Sequence, residues 1–245
     1  MPDKRTHRGP HPEDAALFAA DAVPRLRSAV DDFSLLLTRG YAEPSALKVV
    51  GNRYGLTARQ RTAVMRCSCS DDALQRRRAH EIPIVDLRGQ PLLIDGYNLL
   101  TTIEAALGGG VILAARDGTY RDMASMHGTY HGVEETGPAL ALIGETLDSF
   151  GVAGCHWYLD SPVSNSGRLK GVIADVARGH SWDWRVELVP NPDTILSAAE
   201  QIVVTADSVI LDRCARWANL ARAIVSARVP EAWIVDVGDG AVMRR

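Results

Sequence analysis

Between residues 91 and 237, short apolar runs alternate with longer segments of helical period. Few folds accommodate that rhythm. The runs are LLID (92–95), VILAA (111–115), CHWYLD (155–160), RVELV (185–189), QIVVT (201–205) and WIVDV (233–237). Between most of them lie PALALIGETLDSF, GRLKGVIADVARG and the long SVILDRCARWANLARAIVSA, each read as helix. Strands apolar along their length are buried on both faces, and helices between successive strands imply right-handed parallel crossovers. The expected fold class is α/β: a doubly wound, mostly parallel sheet in a domain of roughly 150 residues.

Upstream the pattern is helical. From Pro12, apolar residues at Leu17, Phe18, Val23, Leu26, Val30, Phe33, Leu36 and Leu37 keep a helical period. Pro24 divides this segment or opens its second half, and Gly40 is a stop signal. A second helix is expected across EPSALKVVGNRY with Ser45 as its cap, and a third after the N-cap Thr57. Helix, YGLT turn, helix has the rhythm of a helix-turn-helix. Arg59, Arg61, Arg66 and the run Arg76–Arg78 could face phosphates, or could be the solvated face of a small bundle. HEIPIVDLRGQP reads as a lead-in hairpin or linker. This divides the chain into a small all-α domain, 1–85, and an α/β domain, 86–245. Residues 1–90 carry 15 Lys/Arg against 11 Asp/Glu, and residues 91–245 carry 12 against 19. A basic front and an acidic back fit two domains with different tasks, although modest imbalance also serves solubility alone.

No apolar run approaches the length that spans a bilayer, so no membrane partner is expected. The N-terminus has basic residues with no apolar stretch behind them, unlike a secretory signal, and a cytoplasmic location is expected. Cys67-Ser-Cys69 invites a zinc reading, but no second CxxC or HxxxH cluster completes it; with Cys155 and Cys214 these are read as free thiols. His127 and His131 lack an HExxH frame and are read as surface or loop residues. Gly108–Gly110 reads as a flexible turn. Homo-oligomerisation stays open.

The chemistry lies in what ends the strands. LLI ends in Asp95 and HWYL in Asp160; RVELV is followed by Asp193 and IVVT by Asp207. In open α/β sheets, sites form outside the carboxyl ends of the strands. One aspartate there is a helix cap, whereas four suggest a shared site. Converging carboxylates repel one another, and a hard divalent cation, Mg²⁺ or Mn²⁺, removes the conflict. Such a site polarises a phosphodiester and activates water, and two ions can clamp both attacking and leaving oxygens.

LLIDGYNLL, WYLDSP, NPDTIL and VVTADSVILD resemble the successive motifs of the PIN-like nucleases, specifically the NYN branch, with its strand ending in D-G-Y/F-N. The resemblance implies metal-binding and catalytic roles for Asp95, Asp160, Asp193 and Asp207. It implies that Asn98 orients a carboxylate or a metal-bound water. It covers residues 91 to about 237. The whole chain also resembles an uncharacterised prokaryotic family that fuses a helical N-terminal domain to a PIN-like domain. The matching motifs are HPEDAALF (11–18), LLTRGY (36–41), DGTYRD (117–122) and LDSPVSNSG (159–167).

SPVSNSGRLK departs from typical NYN nucleases. Its Ser164 and Ser166, with Arg168 and Lys170, are read either as a phosphate cradle at a helix start or as a capped turn. DGTYRD contributes Asp117 as a further site residue and Arg121 as a phosphate contact; a turn followed by a helix start is the structural alternative. Glu104 either completes the acidic set or is a solvated helix residue, and Asp212 is a weaker candidate than Asp207. The function expected is metal-dependent hydrolysis of phosphodiesters in nucleic acid, most naturally RNA. The alternative is a non-catalytic nucleic-acid- or protein-binding module on the same scaffold. A phosphatase of the haloacid dehalogenase type wants DxD, and the third position here is Tyr97.

Overall fold

The computed structural model describes residues 6–124 and 128–238. Five helices come first: α1 (Asp14–Leu17), α2 (Val23–Thr38), α3 (Glu43–Arg53), α4 (Ala58–Cys67) and α5 (Asp71–His80). A 3-10 turn (Ile84–Leu87) leads into β1 (Pro91–Asp95) and α6 (Gly96–Leu107). Next come β2 (Ile112–Ala114), β3 (Tyr120–Asp122), α7 (Thr136–Ser149), β4 (Gly154–Asp160), α8 (Ser166–His180) and β5 (Trp184–Val189). The chain closes with α9 (Pro192–Ser197), β6 (Ile202–Val204), α10 (Ser208–Leu211), β7 (Arg216–Ala218), α11 (Leu220–Arg228) and β8 (Ile234–Asp236).

Local chemistry sets the N-terminal boundaries. Pro24 opens α2, and Gly40, at φ +78°, takes the chain out of it. Thr57 and Gln60 form a reciprocal capping box at the start of α4. Ser45 is not a cap. Its helix starts two residues earlier, with Ala42 at the N-cap and Pro44, whose φ is already helical, in the first turn.

The main sheet has the order β5-β4-β1-β6-β7 with every pairing parallel. Leu92, Ile94, Trp157, Leu159, Ile202 and Val204 face a large core shared with α6, α7, α8 and α11. Leu93, Tyr158, Val203 and Trp217 point to the other face, against Leu196 of α9 and Ile210 and Leu211 of α10. Side chains alternate between two covered faces, which is why these runs are apolar at nearly every position.

Three expectations are corrected. First, VILAA and WIVDV are not in this sheet. β2 and β8 pair in parallel, and β3 pairs antiparallel with β2, making a separate three-stranded sheet. Ile112 and Ala114 of β2 join the large core, while Leu113 joins Val235 and Val237 against Leu26, Val30, Phe33 and Val64 of the N-terminal helices. The helical region and the small sheet therefore share one core, and residues 85 and 86 lie within the 3-10 turn. Second, the long helix after Asp207 is cut in two by β7. Trp217 is fully buried, its Nε1 donates to the Arg77 carbonyl at 2.7 Å, and its backbone pairs with β6. Burying that indole with its N–H satisfied outweighs helical propensity. Third, DGTYRD does turn at Gly118 (φ +82°), but the turn delivers the chain into β3 and not into a helix.

Candidate active site

From β1 the chain crosses to β4 and β5 on one side and returns to β6 and β7 on the other. The loops after β1 and β6 thus diverge at a switch point, which leaves a crevice at the carboxyl ends of the strands. Asp95 ends β1 and is the N-cap residue of α6; Asp160 ends β4. Asp193 stands in the first turn of α9 after β5, and Asp207 caps α10 after β6. All four line one cleft of about 480 Å³. Asn98, Tyr97, Thr101 and Thr102 of α6 line it too, as do Arg121 and Asp122 of β3. Glu43 of α3 with Met65 and Arg66 of α4 supply a wall from the helical region.

Gly96 explains the Asp-Gly junction. A Cβ there would stand 2.6 Å from Leu159 Cδ2 and 2.9 Å from the Tyr158 carbonyl oxygen. Only glycine lets α6 start this close to β4. Asp95 Oδ2 accepts a hydrogen bond from Thr205 Oγ1 at 2.7 Å, and Thr205 Oγ1 accepts one from the Asp207 amide at 2.9 Å. Asn98 Oδ1 accepts from the Ala206 amide at 2.7 Å. Its carbonyl oxygen thus helps fix the loop that carries Asp207.

Burial pushes the Asp95 carboxyl up to about 7; the Thr205 hydrogen bond opposes this, and the charges of Asp207 and Asp193 add to it. Burial and then Asp193 raise Asp160, and burial and then Asp207 raise Asp193. The Tyr97 phenol is pushed up to about 12 by burial and by Asp160. The carboxylates act on one another, the electrostatic situation a cation relieves. Among the described residues, no three His, Cys, Asp or Glu side chains are grouped to hold an ion between them. Asp207 also spends Oδ1 on capping, accepting from the Val209 amide at 2.7 Å and the Ile210 amide at 3.4 Å.

Other candidates lie elsewhere. Asp117 is buried with Arg77 and Arg121, which donate to its Oδ2 at 2.5 and 2.8 Å, and its carboxyl is held down to about 2 against the cost of burial. It is a structural counter-ion outside the cleft. Arg121 lines the cleft, and its guanidinium donates to Asp117 and to the carbonyls of Ala206 and Arg66. Arg77 is 2% exposed and also pairs with Asp212 at 2.7 Å, so its guanidinium does not face outward with its neighbours, and Asp212 is held by Arg77 rather than among the residues lining the cleft. Arg76 and Arg78 are exposed.

Glu104 is fully buried on the far side of α6. Arg8 pairs with it at 2.7 Å, and Tyr130 and Thr136 donate to its other oxygen. Asn165 and Arg168 line a second cleft of about 490 Å³ with His131, Val133 and Thr136. Ser164 and Lys170 are exposed and Ser166 is buried. Ser164, Ser166, Arg168 and Lys170 are not among the residues lining the carboxylate cleft. His127 lies outside the described residues. Cys67, Cys69, Cys155 and Cys214 are buried free thiols. Asp122 is the acid sequence reasoning left out of the cleft. It accepts from the Thr101 and Thr102 hydroxyls and the Ala124 amide, and the signal for it was the second aspartate of DGTYRD.

Residues 84–223 match the family described as "Domain of unknown function (DUF5616)", and residues 25–80 match "Protein of unknown function (DUF434)". The chain is 33% identical over 186 residues to "Uncharacterized protein MJ0935" of Methanocaldococcus jannaschii, an alignment covering 76% of this chain and 88% of that protein. No solved structure matches.

Proposed function

The chain belongs to the family described as a domain of unknown function (DUF5616), and we propose that its carboxylate cleft is the active site of a metal-dependent, PIN-like nuclease of the NYN type, acting on RNA. One observation carries this reading. Asp95, Asp160, Asp193 and Asp207 reach a single cleft from four separate strand ends, where burial and then the charges of Asp193 and Asp207 raise the proton affinity of the neighbouring carboxyls. These are the side chains that would hold Mg²⁺ or Mn²⁺. When bound, such an ion polarises a phosphodiester and makes its water a nucleophile at neutral pH.

The chain's own groups prepare the site. Thr205 fixes the Asp95 carboxylate, and Asn98 holds the Ala206 amide so that Asp207 stays at the rim. The helical wall from α3 and α4 narrows the cleft, and the exposed Arg76 and Arg78 offer sequence-independent attraction to a nucleic-acid backbone. A second reading, a binding module without catalysis, is favoured by the spread of the acids, none of which forms a compact trio among the described residues.

Labelled structured RNA incubated with Mn²⁺ separates the two readings, with Mn²⁺ binding followed by calorimetry. Cleavage by the native protein that is lost in folded Asp95→Asn and Asp207→Asn supports the nuclease. No cleavage and no heat of Mn²⁺ binding supports the module.

A further inference from the structure

Helix α4 carries the arginines Arg59, Arg61 and Arg66, and the first two are accounted for. Arg59 pairs with the buried Asp14 at 2.5 Å. Arg61 donates to Asn52 Oδ1 at 2.9 Å and to the Leu56 carbonyl at 3.0 Å. Arg66 lines the carboxylate cleft and is partly exposed. Its Nη1 donates to the Asp122 carbonyl at 2.6 Å, and Nη1 and Nη2 each reach the Ala124 carbonyl at 3.4 Å. A guanidinium has five N–H donors. These contacts leave Nε–H without a partner among the described residues.

Carbonyls fix a guanidinium without neutralising it. Among the described residues, no carboxylate pairs with Arg66. Arg121, the other arginine of the cleft, is different. It pairs with Asp117, which also takes Arg77, and Arg77 pairs with Asp212. Arg77 and Arg121 thus stand against Asp117 and Asp212, and the charges cancel. Arg66 brings an uncompensated positive charge to a cleft that holds Asp95, Asp122, Asp160, Asp193 and Asp207. Its place beside them is fixed as well. Arg121 donates to the Arg66 carbonyl and, through Nε, to the Ala206 carbonyl at 2.8 Å. One side chain therefore ties α4 to the loop that carries Asp207. A phosphodiester drawn to an ion among the carboxylates brings its own negative charge into an acidic cleft. A cation held at the wall offsets that charge, and hydrogen bonds from arginine to phosphate are of the strong, charge-assisted kind.

We infer that Arg66 is a substrate-binding residue whose guanidinium donates to a non-bridging phosphate oxygen of an RNA strand seated in the carboxylate cleft. This rests on the nuclease reading and adds to it a contact from the helical region; the experiment separates the two.

Arg66→Gln and Arg66→Lys are each made in an Asp95→Asn background that disables cleavage. Binding of a fluorescein-labelled single-stranded oligoribonucleotide is followed by anisotropy in Mn²⁺ over a series of KCl concentrations. Arg66→Gln should weaken binding roughly tenfold or more and lower the salt slope by about 0.7, the share of one phosphate on a single strand. Arg66→Lys should keep the slope, because the charge stays, and lose affinity severalfold, because the planar fork is gone. An unchanged slope in Arg66→Gln overturns the inference. So does a slope lost equally in Arg66→Lys, since a change common to both variants reports the fold and not the charge. Should Arg66→Gln fail to fold, Arg66→Lys decides alone, and an affinity equal to that of the parent overturns the assignment. If Asp95→Asn with Arg66 intact binds no RNA, the nuclease reading fails first and the Arg66 assignment falls with it.

Discussion

Replacing Asp95 by asparagine should stabilise the protein in metal-free buffer above neutral pH. The fold raises this carboxyl from 3.8 to about 7, so the native state holds a proton that the unfolded chain has released. The stabilising contribution is fully present below about pH 4, declines as the pH rises between the two values, and is gone above about 7. At roughly 1.4 kcal/mol per tenfold, ionising Asp95 in the native cleft costs up to about 4 kcal/mol. Asparagine keeps an oxygen to accept from Thr205, which donates at 2.7 Å, and carries no charge to be repelled by Asp193 and Asp207. Allowing for relaxation, the gain at about pH 8 should be about 2–4 kcal/mol, or several degrees in Tm for a chain of this length.

The assay is urea and thermal unfolding of both proteins at about pH 5 and about pH 8, in EDTA and in Mn²⁺. The variant's advantage should be large at the higher pH in EDTA and small at the lower, where Asp95 carries its proton. Mn²⁺ should stabilise the native protein more than the variant and so close the gap, because a ligand that binds only the folded state adds its binding free energy to stability. An Asp95→Asn protein less stable than the native one at about pH 8 in EDTA would refute the reasoning. So would a native stability that does not fall between about pH 4 and 8 in metal-free buffer.

Asp117→Asn leaves Arg77 and Arg121 buried beside a neutral group, and urea unfolding should show a loss of about 3–5 kcal/mol. Because the Asp117 carboxyl is held at about 2, its contribution to native stability should persist above about pH 4 and vanish as acid titration passes about 2. Gly96→Ala drives a methyl group into the Tyr158 carbonyl and Leu159, and should cost about 1–3 kcal/mol by the same measurement. Arg76→Ala with Arg78→Ala should leave the melting temperature nearly unchanged and lower the salt slope of RNA binding by about 2; an unaltered slope makes these ordinary surface residues. Arg77→Ala should instead destabilise the fold, since Asp117 loses one of its two cations.

Four of the five parallel strands were legible as short, mainly apolar runs; β7 was not, because Arg216–Ala218 lies inside a segment of helical period and is drawn into the sheet by its pairing with β6 and the burial of Trp217. Membership of a sheet was not legible either. VILAA and WIVDV carry the same local pattern as LLID, and the N-terminal helices waiting on one face send them to a second sheet, a partner absent from the local run. Arg77 shows a signal present but unused. It stands three residues after Leu74 on α5, which puts it on the buried face, while Arg76 and Arg78 turn outward. Glu104 is the sharper case. Nine residues at 100° each turn it half a circle from Asp95 and carry it about 14 Å along the helix, so spacing alone excludes it from the acidic set. Spacing cannot name Arg8, 96 residues upstream, as the group that makes its burial tolerable. The same limit governs the cleft. An aspartate after each strand can be read from the chain, but their meeting depends on β1 lying between β4 and β6. That order is settled by which apolar faces pair across the whole domain. Had β6 joined the far edge beyond β5, Asp207 would stand two strands further from Asp95 and the crevice between β1 and β6 would not exist.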